Sequence, residues 1–249
     1  MFWFLFLMCG AYSTNIEHIT PQSSMQTRVM VRGMFDTGNN FMNKIFLSNN
    51  LPYKIVDADY HKPYQWKHTP PQDLNSVSTS PNVLNVIMIR HPFAWVTGIH
   101  KSPYDLSCKS DDTTCRLRYN GKLKTWPHII NVWNDYYNNF QKIRGNWMIV
   151  RYEDLLQDAE KEYKRILQNL EIIQKRGRRR LFNIPARPAK NHGRPRTFKD
   201  AKIFNMQQNW RSKFSQTQIH DYCHLLDDIG GNGRIWHRIT VSKIRPWCL

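Results

Sequence analysis

Three apolar runs rich in branched residues set the limits on this fold. The longest, Leu84-Asn85-Val86-Ile87-Met88-Ile89, is nearly continuous, and Val29-Met30-Val31 and Trp147-Met148-Ile149-Val150 are shorter versions of it. A strand of that composition is covered on both faces, as in a parallel sheet with helices above and below. Segments of helical spacing lie between the runs. Phe41 to Leu47 follows the first, Pro127 to Lys142 precedes the last, and Glu160 to about Gln174 carries Tyr163, Ile166, Leu167 and Leu170 on one face. A short strand is expected over Tyr53–Asp57, the start of a helix over 93–101, and a final helix over 215–228 with Ser215 as its N-cap. Residues 102–124, and most of the basic stretch beyond Gln174, read as loop. Strand alternating with helix predicts an α/β fold with a parallel central sheet flanked by helices. A chain of 249 residues suits one such domain, expected over 27–249.

In sheets of this kind ligands bind beyond the carboxyl ends of the strands. Three features sit there: the loop Arg32-Gly33-Met34-Phe35-Asp36-Thr37-Gly38-Asn39-Asn40, the segment Arg90-His91-Pro92, and Arg151-Tyr152-Glu153-Asp154-Leu155. The two glycines between strand and helix let backbone N–H groups converge on an anion at the helix N-terminus. A nucleoside triphosphatase would need a Lys and a Ser or Thr after the second glycine; Asn39 and Asn40 stand there, which argues against a kinase. An Arg at a strand end is a fixed fork for phosphate.

The formal charge of +17 implies an anionic partner, and Gln174–Lys213 holds thirteen Lys or Arg against the single acid Asp200. No nucleic-acid recognition motif accompanies the charge. The first twelve residues, MFWFLFLMCGAY, are uncharged and apolar, too short for a bilayer span but of the length of a signal-peptide core. A cleaved signal, a truncated anchor that associates with membrane, and a buried first strand are the readings. Cleavage after Ala11 would leave Cys108, Cys115, Cys223 and Cys248, an even set that suggests bridges of Cys108 with Cys115 and of Cys223 with Cys248.

Taken in order and spacing, the glycine loop, the Arg90 segment and Arg-Tyr-Glu-Asp-Leu at 151–155 resemble the sulfotransferase family, which uses 3′-phosphoadenosine 5′-phosphosulfate. The likeness covers roughly residues 28–230, including Asn209-Trp210-Arg211 and Phe214-Ser215. It implies a P-loop nucleotide-hydrolase-like three-layer sandwich. It implies sulfuryl transfer to a hydroxyl or amine of a glycan or related acceptor, without a metal. The resemblance places the phosphosulfate on Thr37, Gly38, Asn39, Asn40 and Phe41. The 3′-phosphate falls on Arg90 and Gly98, with the late basic residues Arg196 and Lys199 closing over it. Lys67 and His68, in Trp66-Lys67-His68, resemble a Lys-His element of some members and are the candidate catalytic pair. With the leader and cysteines, this points to the secretory pathway, as a Golgi lumenal or membrane protein; cytosolic members of the family act on small molecules. The chain departs from the family pattern at three places: Asp36 stands where a Lys or Arg is frequent, Asn39 and Asn40 replace hydroxyls, and Gly98 replaces a Ser. The Asp36 carboxylate is expected to turn away from the anion or to pair with a cation such as Arg32.

Overall fold

A computed structural model describes residues 28–51, 54, 55, 67–69, 83–119, 121–140, 146–170, 182–186 and 197–227. The leader, Trp66, Arg196, Cys248 and the run 171–181 lie outside these residues. A four-stranded sheet is built from β1 (Arg28–Arg32), β2 (Lys54–Ile55), β3 (Val83–Ile89) and a strand at Asn146–Arg151, in the order β2-β1-β3-Asn146–Arg151. Every pairing is parallel, with Arg28 opposite both Lys54 and Val83, and Leu84 opposite Asn146. The near-continuous apolar runs are therefore strands of one parallel sheet, as their composition requires.

The two faces of β3 explain its lack of alternation. Leu84, Val86 and Met88 belong to a core with Phe41, Met42, Ile45 and Phe46 of α1 (Asn39–Ser48). Residues 87 and 89 belong to a second core with Phe93 and Trp95 of α2 (Pro92–Lys101) and Trp133 and Tyr136 of α3 (Ile129–Phe140). Each buried Leu, Ile or Phe side chain contributes roughly 1.5–3 kcal/mol relative to exposure. The first core also takes in Leu155 and Leu156 of α4 (Tyr152–Gln157) and Ile166 and Leu167 of α5 (Ala159–Asn169), where Asp158 caps by accepting from the Lys161 N–H.

Two stretches read as loop are ordered elements. Residues 102–124 contain β4 (Leu106–Ser107) and β5 (Thr113–Tyr119), paired antiparallel with each other and with β6 (Lys122–His128) in a separate three-stranded sheet. Cys115, Leu117 and Tyr119 face the core while Arg116 and Arg118 face solvent. The strand at 146–151 is then β7. Within the basic stretch, α6 (Phe198–Met206) starts at a capping box: the Asp200 N–H donates to Thr197 Oγ1, and the Thr197 N–H donates to Asp200 Oδ2. The last helix, α7 (Gln216–Asp227), is capped by Ser215, whose Oγ accepts from the Gln218 N–H. Trp210 and Phe214 pack on Phe93 and tie this end of the chain to α2. Among the described residues no helix is long and apolar enough to cross a membrane.

Cys108 and Cys115 form a disulfide, closing the expected loop, and Cys223 is disulfide-bonded as well; its expected partner, Cys248, lies outside the described residues. With a sequence separation of 7, the Cys108–Cys115 link removes chain entropy worth about 2.5 kcal/mol from the unfolded state. The double variant Cys108→Ser/Cys115→Ser is expected to unfold about 2 kcal/mol more easily in urea. An unchanged midpoint would show that the antiparallel sheet alone fixes this loop.

Candidate functional site

The chain leaves β1 for β2 on one side and later places β3 on the other. This reversal makes the carboxyl ends of β1 and β3 a topological switch point, the place where open α/β sheets bind ligands. The glycine loop follows β1, Arg90 follows β3, and Lys67 and His68 lie against the loop, with the Gly33 N–H donating to the Lys67 carbonyl at 3.0 Å.

The loop is held by its own polar side chains. Thr37 Oγ1 donates to the Met34 carbonyl at 2.8 Å, and Asn39 Nδ2 donates to the carbonyls of Gly33 and Met34 at 3.0 and 3.1 Å. Both side chains are buried. Thr37 and Asn39 therefore shape the loop from inside, and neither presents its side chain to an anion as expected. Phe41 is likewise a core residue, packed against Tyr152 and Phe198. What these positions offer an anion is backbone: α1 begins at Gly38 with no side-chain cap, and its first N–H groups have no acceptor within the helix. Gly38 has φ +94, the left-handed region, and a Cβ there would lie 2.3 Å from the Tyr152 ring.

Asn40 is exposed and accepts from Lys67 Nζ at 2.5 Å, which brings a cation to the start of α1. Burial lowers the Lys67 ammonium below its ordinary pKa. His68 is partly buried. Its Nδ1 lies 2.7 Å from the Gly33 carbonyl, which can only accept, so the network assigns the proton to Nδ1 and the lone pair to Nε2. Desolvation, with Lys67 adding to it, holds His68 down at about 3. A narrow crevice lined by Phe35, His68, Leu117, Trp126 and Tyr136 opens beside it.

Arg90 is buried and nearly saturated. Its NH1 donates to Asp36 Oδ2 at 2.5 Å and to the Asp36 carbonyl at 3.0 Å, while Nε and NH2 donate to Asn205 Oδ1 of α6 at 3.3 and 3.2 Å. The guanidinium also lies over the Tyr152 ring at 5.3 Å. Asp36 thus pairs with Arg90. Arg32, the partner expected for it, is a buried β1 residue that donates to Asn85 Oδ1, and burial lowers its pKa to about 10. Asp36 adopts φ +55, a conformation Asp tolerates better than most residues. Gly98 touches this pair rather than an open phosphate pocket: a Cβ at Gly98 would lie 1.6 Å from Asp36 Oδ2. Asp36 and Gly98, two separate departures in the sequence, are one packing arrangement.

Lys199 is exposed on the first turn of α6, and Arg196 falls outside the described residues. His91 stacks on Trp210 at 4.5 Å, and His100 pairs with the buried Asp112 at 2.5 Å; both serve packing. Sequence reasoning missed Asn205, which shares Arg90, and named Tyr152, which backs Gly38 and Arg90, only within a motif. Glu153 was legible only as part of a motif; its Oε1 accepts from the His91 N–H at 2.9 Å.

No family model matches the chain, and no curated protein matches it.

Both His68 and His91 are held near 3 by burial, against an ordinary 6.5. The unfolded chain therefore takes up these protons near 6.5 while the folded chain does not. Stability is full above that value and falls as pH drops toward 3, by up to about 1.4 kcal/mol per pH unit for each ring. Urea midpoints measured between pH 7.5 and 4.5 should fall in the parent and fall less steeply in His68→Gln. Equal slopes would refute a neutral, enclosed His68.

Proposed function

We propose that the chain is a sulfotransferase of the P-loop-like three-layer class. It moves a sulfuryl group from an adenosine phosphosulfate donor, of which 3′-phosphoadenosine 5′-phosphosulfate is the family's form, to a hydroxyl or amine of a glycan or related acceptor. The observation that carries this reading is the gathering of the α1 N-terminus, Lys67 and Arg90 at one switch point of a parallel sheet. Helices packed on both faces of that sheet agree with it. In the proposed step the acceptor oxygen attacks sulfur in line. The bond from sulfur to the phosphate oxygen breaks, and the nucleotide phosphate leaves. Lys67 and the α1 amides cover the charge on the leaving oxygen. The acceptor enters by the crevice beside His68, whose Nε2 takes the hydroxyl proton. Burial makes His68 a weak base, so positioning and charge coverage supply most of the rate. The Cys108–Cys115 disulfide supports an oxidising, secretory compartment for this activity.

A second reading has its own observation. The Asp36–Arg90 pair occupies the cation expected to bind phosphate, as a protein that holds a nucleotide or anionic polysaccharide without transfer would tolerate. Sulfate-labelled donors, with and without the 3′-phosphate, should be incubated with an acceptor panel, beside calorimetry with the desulfonated nucleotides. Transfer that falls about a hundredfold in Lys67→Ala supports the enzyme. Binding without transfer to any acceptor sinks it and leaves the second reading.

A further inference from the structure

The cation at the end of β3 already has an anion beside it, and the protein supplies it from the loop after β1. Asp36 from the loop, Arg90 at the end of β3, Gly98 in α2 and Asn205 in α6 build one arrangement from four elements. The Arg90 side chain is 7% exposed and the Asp36 side chain 33%, so of this pair the carboxylate side is the one more open to solvent. Gly98 makes this possible, because any larger residue would expel the carboxylate. A second anion directed at Arg90 would lie within a few ångströms of Asp36 and be repelled by it. An ionised carboxylate only accepts hydrogen bonds, and it matches a sugar hydroxyl, which donates. The same choice separates dinucleotides: an acid accepts from a ribose hydroxyl, while an Arg accommodates a phosphate at that place. Among the described residues, the cation brought to the start of α1 is Lys67.

We propose that this site selects a nucleotide whose ribose is unphosphorylated, with Asp36 accepting from a ribose hydroxyl and the 5′ anion lying on the α1 N-terminus and Lys67. The proposal rests on the nucleotide reading above and narrows its donor to adenosine 5′-phosphosulfate. Calorimetry of the full chain with AMP and with adenosine 3′,5′-bisphosphate tests it. AMP is expected to bind at least about tenfold more tightly. Asp36→Asn, which keeps the shape and removes the charge, should shift that ratio toward the bisphosphate by about tenfold or more, with an unchanged circular dichroism spectrum as the check on folding. Tighter binding of the bisphosphate to the parent overturns the proposal while the nucleotide reading stands. Equal ratios in parent and Asp36→Asn also overturn it. Binding of neither compound overturns both.

Discussion

Gly38→Ala is expected to lower the unfolding free energy by about 2–5 kcal/mol. Two costs add. The left-handed backbone at φ +94 penalises a side chain by roughly 1–2 kcal/mol. The new Cβ would also lie 2.3 Å from Tyr152 Cδ2, and that ring is confined by Phe41 and by the Arg90 guanidinium. Pushing the ring aside in a packed core costs a further 1–3 kcal/mol or so. Gly121 supplies the control. It has φ +73, but a methyl there would meet nothing within 4 Å, so Gly121→Ala should cost only about 1 kcal/mol. Chemical denaturation of the two variants separates the terms. Equal losses would mean that Tyr152 does not confine the loop.

The second large effect is a dependence between two positions. Gly98→Ser alone is expected to destabilise by about 2–3 kcal/mol, because the Asp36 carboxylate must leave and Arg90 then stays buried without its partner. Asp36→Ala alone should cost a similar amount for the same reason. The double variant should cost much less than the sum, since the space is empty and the serine hydroxyl reaches toward the guanidinium, whose NH1 would lie 3.1 Å from the Cβ. A coupling energy of about 1–2 kcal/mol in a double-mutant cycle is expected. Strict additivity would refute the single arrangement. For the same reason Asp36→Lys should destabilise the ligand-free protein, by placing a second cation beside a buried one.

The parallel sheet was legible in the sequence because its strands are buried on both sides, and burial of that kind leaves an unbroken apolar run. The antiparallel sheet was harder to see. Its β5 has one wet face, so Arg116 and Arg118 interrupt Cys115, Leu117 and Tyr119, and β6 carries Pro127, which a strand tolerates best at an edge. The α6 helix hid in a basic context, although Thr197 and Asp200 spell its start. At the candidate site, the loop, Arg90, Lys67 and His68 were read as candidates from type and position. The direction of each side chain was not. Thr37 and Asn39 turn inward because the loop's own carbonyls need donors, and Asp36 finds Arg90, 54 residues away, through a gap that only a glycine leaves. A pairing of that range is invisible to local pattern.

The register of the two sheets also sets an order of assembly. Across the parallel sheet, Arg28 must find Val83 and Leu84 must find Asn146, so long loops close before any contact rewards them. Tyr119 pairs with Lys122, only three positions along the chain. The β5–β6 hairpin is therefore the part that can form while the rest of the chain is still searching, and a bond between Cys108 and Cys115 would then lock a small finished unit for the late-folding sheet to close upon.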